Sequence, residues 1–342
     1  MGVVRILWSI ILILLLVPGY AGEPRLALWG RAPVVTAERV ALDPADPARR
    51  RLGGLEYVGG IALRSVDPGF GGYSAMAVAG DRFTLLSDGG LFLRFTMGRD
   101  LIPRHHAFGA LPDGPGTGWA KIDRDSESMA VDPATGRIWV GFERVNAIVR
   151  YAADFARAER IAYPREMRRW PSNSGAETIV RLRSGRFVVM SELKKAGSLL
   201  FAGDPVAGAR STWFMYQPPR GFRPTDAAEL PDGRLVVLNR SFTARGGFTN
   251  RLTLVDPRAI RTGATIRGRE IAALVPPLIH DNFEGIAVSR EGRDTIVWLV
   301  SDDNQSWFQR TLLLKFRLVD GAANSAGPRS PKEAAPGTKT GR

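Results

Sequence analysis

Many apolar positions in this chain fall into short continuous runs, and several of these runs are closed by an acidic or amide residue. The clearest unit starts at Asn282. It reads N-F-E-G-I-A-V-S, turns near Glu291 to Asp294, runs apolar from Ile296 to Val300, and closes on Ser301-Asp302-Asp303. A third apolar run follows from Arg310 to Phe316. This spacing predicts an antiparallel hairpin with an acid opening one strand and another closing the next. In a hairpin those two points lie at the same end, so Glu284 and Asp302 are expected at one mouth.

The same unit recurs upstream. Asp125 onward pairs Glu127 with Glu143, Gly175 onward pairs Glu177 with Glu192, and Gly72 onward pairs Ser74 with Asp88. Thr225 onward pairs Asp226 with Asn239 or Arg240. A repeat of roughly 50 residues is the spacing of β-propeller blades. Both faces of the apolar runs must be covered, as when blades stack face to face. The fold predicted is all-β: a propeller of four-stranded antiparallel blades around a central channel. Five acidic hairpins plus the segment Leu52 to Ser65 predict six blades, with five or seven left open. A strand pair ahead of the first repeat also suits completion of the last blade, which removes two sheet edges.

The repeats divide the chain. Residues 52–319 form the expected propeller, and 22–51 are a Pro- and Arg-rich lead-in. Met1 to Arg5 is basic, Ile6 to Val17 is apolar, and Gly19-Tyr20-Ala21 supplies small residues for cleavage. This reads as a secretory signal peptide over 1–21. The apolar run is short of the roughly 20 residues that span a bilayer. A periplasmic or secreted protein with no stable membrane span after cleavage is expected; inner-membrane anchoring through an uncleaved signal is the alternative. Residues 320–342 turn to Gly, Ala, Pro, Ser and Lys and are expected to be disordered. The segment Asp100 to Ile122 reads as a loop, and Asp154 to Trp170 as a charged connection with room for a short helix.

Composition narrows the chemistry. The 342 residues carry a formal net charge of +13, and no cysteine, so disulfides, thiolate metal sites and Cys nucleophiles are excluded. The arginines are scattered, with no compact basic run interleaved with aromatics, so nucleic acid is not an expected partner. There is no Walker loop, dinucleotide fingerprint or zinc motif. Gly72-Tyr73-Ser74-Ala75-Met76 lacks the second glycine of a nucleophile elbow and precedes a strand. His105, His106 and His280 do not form a metal-spaced set.

In a propeller, Glu127, Glu177, Asp226 and Glu284 would open the inner strands at the channel mouth, with Asp88, Glu143, Glu192 and Asp302 just behind. So many carboxylates repel one another unless compensated. A hard cation with oxygen ligands is one compensation, and Ca²⁺ suits it, with these eight acids as candidate ligands and Asn173, Asn282 and Asn304 as further oxygens. Ion pairing to Arg150, Arg240 and Arg310 is the other. With a metal, Glu127, Glu177 and Glu284 are the candidate catalytic carboxylates, and the three arginines the candidate clamps on substrate oxygens. A third use of these acids is purely architectural, as caps on strand ends.

The units resemble the phytase-like domain family, labelled "esterase-like activity of phytase". The resembling pieces are G-L-E-Y-V-G-G-I-A-L from Gly54, F-G-G-Y-S-A-M from Phe70, L-S-D-G-G from Leu86 and D-S-E-S-M-A-V from Asp125. They continue with G-F-E-R-V-N-A-I-V-R-Y from Gly141, N-S-G-A-E from Asn173, N-F-E-G-I-A from Asn282 and S-D-D-N with Q-R-T-L-L-L-K-F after Ser301. The resemblance spans Gly53 to Leu318 and implies an exported bacterial β-propeller. The expectation is a monomeric, metal-dependent hydrolase of phosphate or carboxylic esters acting on a small molecule. The alternatives are a non-catalytic propeller binding a ligand or envelope partner, and a lactonase.

Overall fold

A computed structural model describes residues 26–193 and 196–319. The predicted signal peptide and the predicted tail lie outside the described residues. The strands in chain order are β1 (Thr36–Arg39), β2 (Arg51–Leu52), β3 (Leu55–Arg64), β4 (Tyr73–Ala79), β5 (Arg82–Ser87), β6 (Leu91–Met97) and β7 (Pro103–Ala110). They continue with β8 (Ser126–Val131), β9 (Ile138–Phe142), β10 (Ala147–Tyr151), β11 (Ala158–Ala162), β12 (Ala176–Arg181), β13 (Phe187–Ser191), β14 (Ser198–Phe201) and β15 (Ser211–Gln217). The last are β16 (Arg223–Glu229), β17 (Leu235–Thr243), β18 (Gly247–Val255), β19 (Thr265–Arg267), β20 (Arg269–Leu274), β21 (Phe283–Glu291), β22 (Asp294–Ser301) and β23 (Thr311–Leu318).

These strands form five sheets, each a propeller blade. Blade I is β4-β5-β6-β7 and blade II is β8-β9-β10-β11. Blade III is β12-β13-β14-β15, with β19 added in parallel to β15, and blade IV is β16-β17-β18-β20. Blade V is β21-β22-β23-β3, with β1 beyond β3 and β2 paired to its start. The expected six blades are therefore five. The segment from Leu52 is no blade of its own: β3 pairs antiparallel with β23 from Leu63 opposite Thr311 to Leu55 opposite Leu318. The chain thus closes the ring with its own beginning, and two edges become one hydrogen-bonded ladder.

The apolar runs are buried on both faces, as in β9 and β13, where every residue is buried. Five apolar clusters fill the five gaps between neighbouring blades. One joins blades I and II through Leu86, Phe92, Val140 and Tyr151; another joins blades II and III through Trp139, Ile148, Ile179 and Phe187. The remaining three join III to IV, IV to V, and V to I. The core is a ring of inter-blade seams, which is why the inner runs do not alternate. Outer strands face solvent and lack this signature. Hence β7 lies inside the expected loop 100–122, and β11 inside the expected connection 154–170.

The inner strands β4, β8, β12, β16 and β21 share one irregularity. Each has a register shift near its first residues: between Tyr73 and Ala75, Ser126 and Ser128, Ala176 and Thr178, Pro224 and Asp226, and Phe283 and Gly285. A bulge leaves its extra residue out of the ladder and re-aims its side chain. The five extra residues are Ser74, Glu127, Glu177, Thr225 and Glu284.

Candidate functional site

The bulged residues stand at the start of the inner strands, at one end of the channel. Behind them are Asp88, Glu143, Glu192 and Asp302, each directly after its second strand, and Arg240, within β17. The residue two positions before each bulge also lies at this end: Gly72, Asp125, Gly175, Arg223 and Asn282. Asp125 and Arg223 are site residues that the hairpin pattern alone did not single out. Their signal was a fixed offset from the bulged position, visible only once the bulge is known.

Two halves of this mouth are built differently. On the side of blades IV and V, arginines compensate the acids. Arg240 bonds Glu192 Oε1 at 3.0 Å, Asn282 Oδ1 at 2.8 Å, and Glu284 Oε1. Arg223 holds the other oxygen of Glu192 at 3.0 Å. Asn282 donates from Nδ2 to Glu284 at 3.0 Å and to Asp302 at 3.3 Å. Its carbonyl oxygen is thus spent on Arg240. Burial opposes the Arg240 charge, but Glu284, Glu192 and Glu177 outweigh it and raise its pKa. Burial also raises Glu284, with Arg240 pulling the other way. Burial and the neighbouring Glu284 and Asp88 push Asp302 well up.

On the side of blades II and III, compensation runs short. Asp125, Glu127 and Glu143 present ligand oxygens that all lie within 4.8 Å of one another. Arg144 Nε bonds Asp125 at 2.9 Å, and Lys121 pairs with Asp88. Glu127, Glu143 and Glu177 have no ion pair among the described residues. Burial raises Glu127, and Glu177, Glu284, Asp88 and Asp125 raise it further. Burial likewise raises Glu177, followed by Glu143, Glu192 and Glu284. Glu143 is pushed up to about 7, by burial and then by Asp125. Lys121, from the loop between blades I and II, faces Asp88, Asp125 and Glu127.

Three expected site residues stand elsewhere or in another role. Asp226 is not part of the acidic ring. In blade IV the bulged residue is Thr225, so Asp226 falls one place along and turns toward blade V. It accepts hydrogen bonds from the backbone amides of Ala227 at 2.8 Å and Ile286 at 2.9 Å. It is an inter-blade latch, matching Ser128, whose hydroxyl reaches the Ala176 carbonyl across the next seam. Arg150 lies on β10, a third strand, where it bonds Glu159 at 2.8 Å and pairs with Asp204 between blades II and III. That position is outside the mouth. Arg310 sits at the rim, 3.5 Å from Asp281. Of the histidines, His105 and His106 lie on β7, and His280 Nδ1 contacts the Leu278 carbonyl at 2.6 Å.

Residues 68–305 match the protein family described as Phytase-like: Esterase-like activity of phytase. The chain belongs to this family. No protein with a curated description matches the sequence. Several solved structures are distantly similar. Glutaminyl cyclase from Myxococcus xanthus is 11% identical, with 87% of this chain and 98% of that one covered and a TM-score of 0.44. The allergen Mala s 1 from Malassezia sympodialis is 12% identical, covering 86% and 95%, with a TM-score of 0.42. A protein of unknown function from Bacteroides thetaiotaomicron is 11% identical, covering 84% and 76%, with a TM-score of 0.43. Within this phytase-like propeller, the chemistry available at the mouth is a hard, oxygen-only donor set beside guanidinium groups. Among the described residues no helix is long and apolar enough to cross a membrane.

Proposed function

We propose that the channel mouth is the site of a divalent-cation-dependent hydrolase of phosphate or carboxylic esters. The observation that carries this reading is the trio Asp125, Glu127 and Glu143. Two oxygens on one Ca²⁺ lie at most about 5 Å apart, since each sits about 2.3–2.6 Å from the ion. The trio meets that limit. Its mutual repulsion is what a bound cation would relieve, and the charge of Glu143 raises the pKa of Glu177 beside it. A cation there would polarise the ester and make a bound water more acidic.

The chain's own residues then have distinct tasks. A buried carboxylate outside the trio suits proton transfer, and Glu177, whose pKa burial raises well above its ordinary value, has that character. Glu177 takes the proton of the attacking water as the new bond to phosphorus or carbon forms. The ester oxygen leaves with the bonding electrons and is protonated from the same acid pool. Lys121 and Arg144 bring positive charge to the edge of the trio. Glu192 and Glu284 are tied to Arg240 and hold the opposite wall in place.

A non-catalytic propeller is the second reading. The Arg240-centred half favours it, because acids there serve architecture. The test is turnover of 4-nitrophenyl phosphate and 4-nitrophenyl acetate by purified protein, with Ca²⁺ and with chelator. Hydrolysis that needs the cation and is lost in Glu127→Gln supports the enzyme. Cation binding without turnover of either ester supports the second reading.

A further inference from the structure

Beside the carboxylate trio lies a cleft of about 540 Å³ lined by Arg144, Val145, Asn146, Tyr163, Arg168, Trp170 and Ser172. Arg144 joins it to the trio: it lines the cleft and donates from Nε to Asp125 at 2.9 Å. That bond uses one nitrogen and leaves the terminal amino groups for a second partner. Arg168 is exposed and has no ion pair among the described residues. No carboxylate lines the cleft. A positive recess thus adjoins the carboxylates of the mouth.

Of the remaining lining residues, Val145, Tyr163 and Trp170 are apolar or aromatic, and Asn146 and Ser172 are polar. Tyr163 is 52% exposed and Val145 42% exposed, while Trp170 is buried. Both solvent-facing apolar groups therefore border the guanidiniums. The floor is fixed: Asn146 is buried, with Nδ2 bonded to the Trp170 carbonyl at 2.8 Å and Oδ1 buried without a partner.

We propose that this cleft is the substrate subsite, and that it takes a phosphoester with one phosphoryl group on an aromatic or otherwise apolar alcohol. This rests on the hydrolase reading only for the fate of the ester. Guanidinium forks match phosphoryl oxygens in geometry and charge. A neutral carboxylic ester would leave Arg168 and the terminal amino groups of Arg144 without an anionic partner. A densely phosphorylated substrate would set further anionic groups against Tyr163 and Val145, or against the carboxylates of the trio. The arrangement favours one anionic group between Arg144 and Arg168, with its apolar body on Tyr163.

Phenylphosphonate, which cannot be hydrolysed at its carbon–phosphorus bond, is the probe, and binding to the full chain is measured by calorimetry in Ca²⁺. Arg168→Gln is expected to weaken binding about tenfold, the effect of losing one charge-assisted contact, while the Ca²⁺-induced thermal shift is unchanged. Tyr163→Ala is expected to weaken phenylphosphonate and leave inorganic phosphate unaffected. Equal affinity in wild type and Arg168→Gln, or no binding to wild type, overturns the subsite. Inorganic phosphate binding as tightly as phenylphosphonate overturns the apolar-body assignment. If Arg168-dependent binding persists while no ester is turned over, the subsite stands and the hydrolase reading falls.

Discussion

Arg240 is the sharpest place to test the electrostatics of the mouth. The substitution Arg240→Met keeps much of the stem and removes the charge. Arg240 is mostly buried, and both of its carboxylate partners are more so: Glu192 has 11% and Glu284 14% of its side chain exposed. Breaking a buried pair on one side costs about 3–5 kcal/mol. The cost here has a ceiling, because a stranded carboxylate can take a proton instead. At pH 7, protonating an acid of ordinary pKa about 4.5 costs about 3.4 kcal/mol. Glu192 keeps Arg223 at 3.0 Å and Glu284 keeps Asn282 at 3.0 Å, so neither acid is wholly abandoned. We therefore expect a loss of about 3–4 kcal/mol at pH 7. At pH 5 protonation costs under about 1 kcal/mol per acid, and the loss should shrink to about 1–2 kcal/mol. Urea denaturation of both proteins at the two pH values, without divalent cations and with m-values compared, reads this directly. Taking wild type as reference at each pH cancels the other titrating groups. A loss under about 1 kcal/mol at pH 7, or one that does not change with pH, would refute the account.

Saturating Ca²⁺ should raise the melting temperature of the wild type, since it binds the folded state. Glu127→Gln should remove most of that shift, and Glu177→Gln less; equal shifts in all three proteins would place the cation elsewhere. Without divalent cations, stability should fall as pH rises from about 4.5 to about 7. Glu143 titrates near 7 when folded, so the folded state binds more protons than the unfolded one across that window. Glu127 and Glu177 act in the same direction. After allowance for solvent screening the Glu143 part is of order 1 kcal/mol, and Ca²⁺ should flatten the slope; a denaturation series across pH that rises through this window would contradict the assignment. Asp226→Ala should cost about 2–3 kcal/mol by leaving the Ile286 and Ala227 amides without an acceptor. It should leave the Ca²⁺ shift intact, and loss of that shift would return Asp226 to the metal site.

The sequence by itself determined the kind of fold and the identity of most mouth residues. Both follow from local periodicity: a fully apolar run such as Phe187–Met190 can be covered only between two sheets, and an acid at each run's start must sit at a common end. The number of blades was not local. Whether Leu55–Arg64 starts a sixth blade or completes the fifth depends on its pairing with β23, more than two hundred residues away. Outer strands such as β7 escaped because one face is solvated and their residues carry no apolar signature. The division of acids between partners was likewise a tertiary matter. Arg150 and Arg240 each follow an apolar run, yet one pins a seam on a third strand while the other closes the mouth from a second strand. Asp226 looked like Glu127 in sequence, but a one-residue difference in where the bulge falls turns it from the channel to the neighbouring blade. Because side chains alternate along a strand, the position of a bulge decides which residue faces the channel, and that position is set by pairing across the sheet.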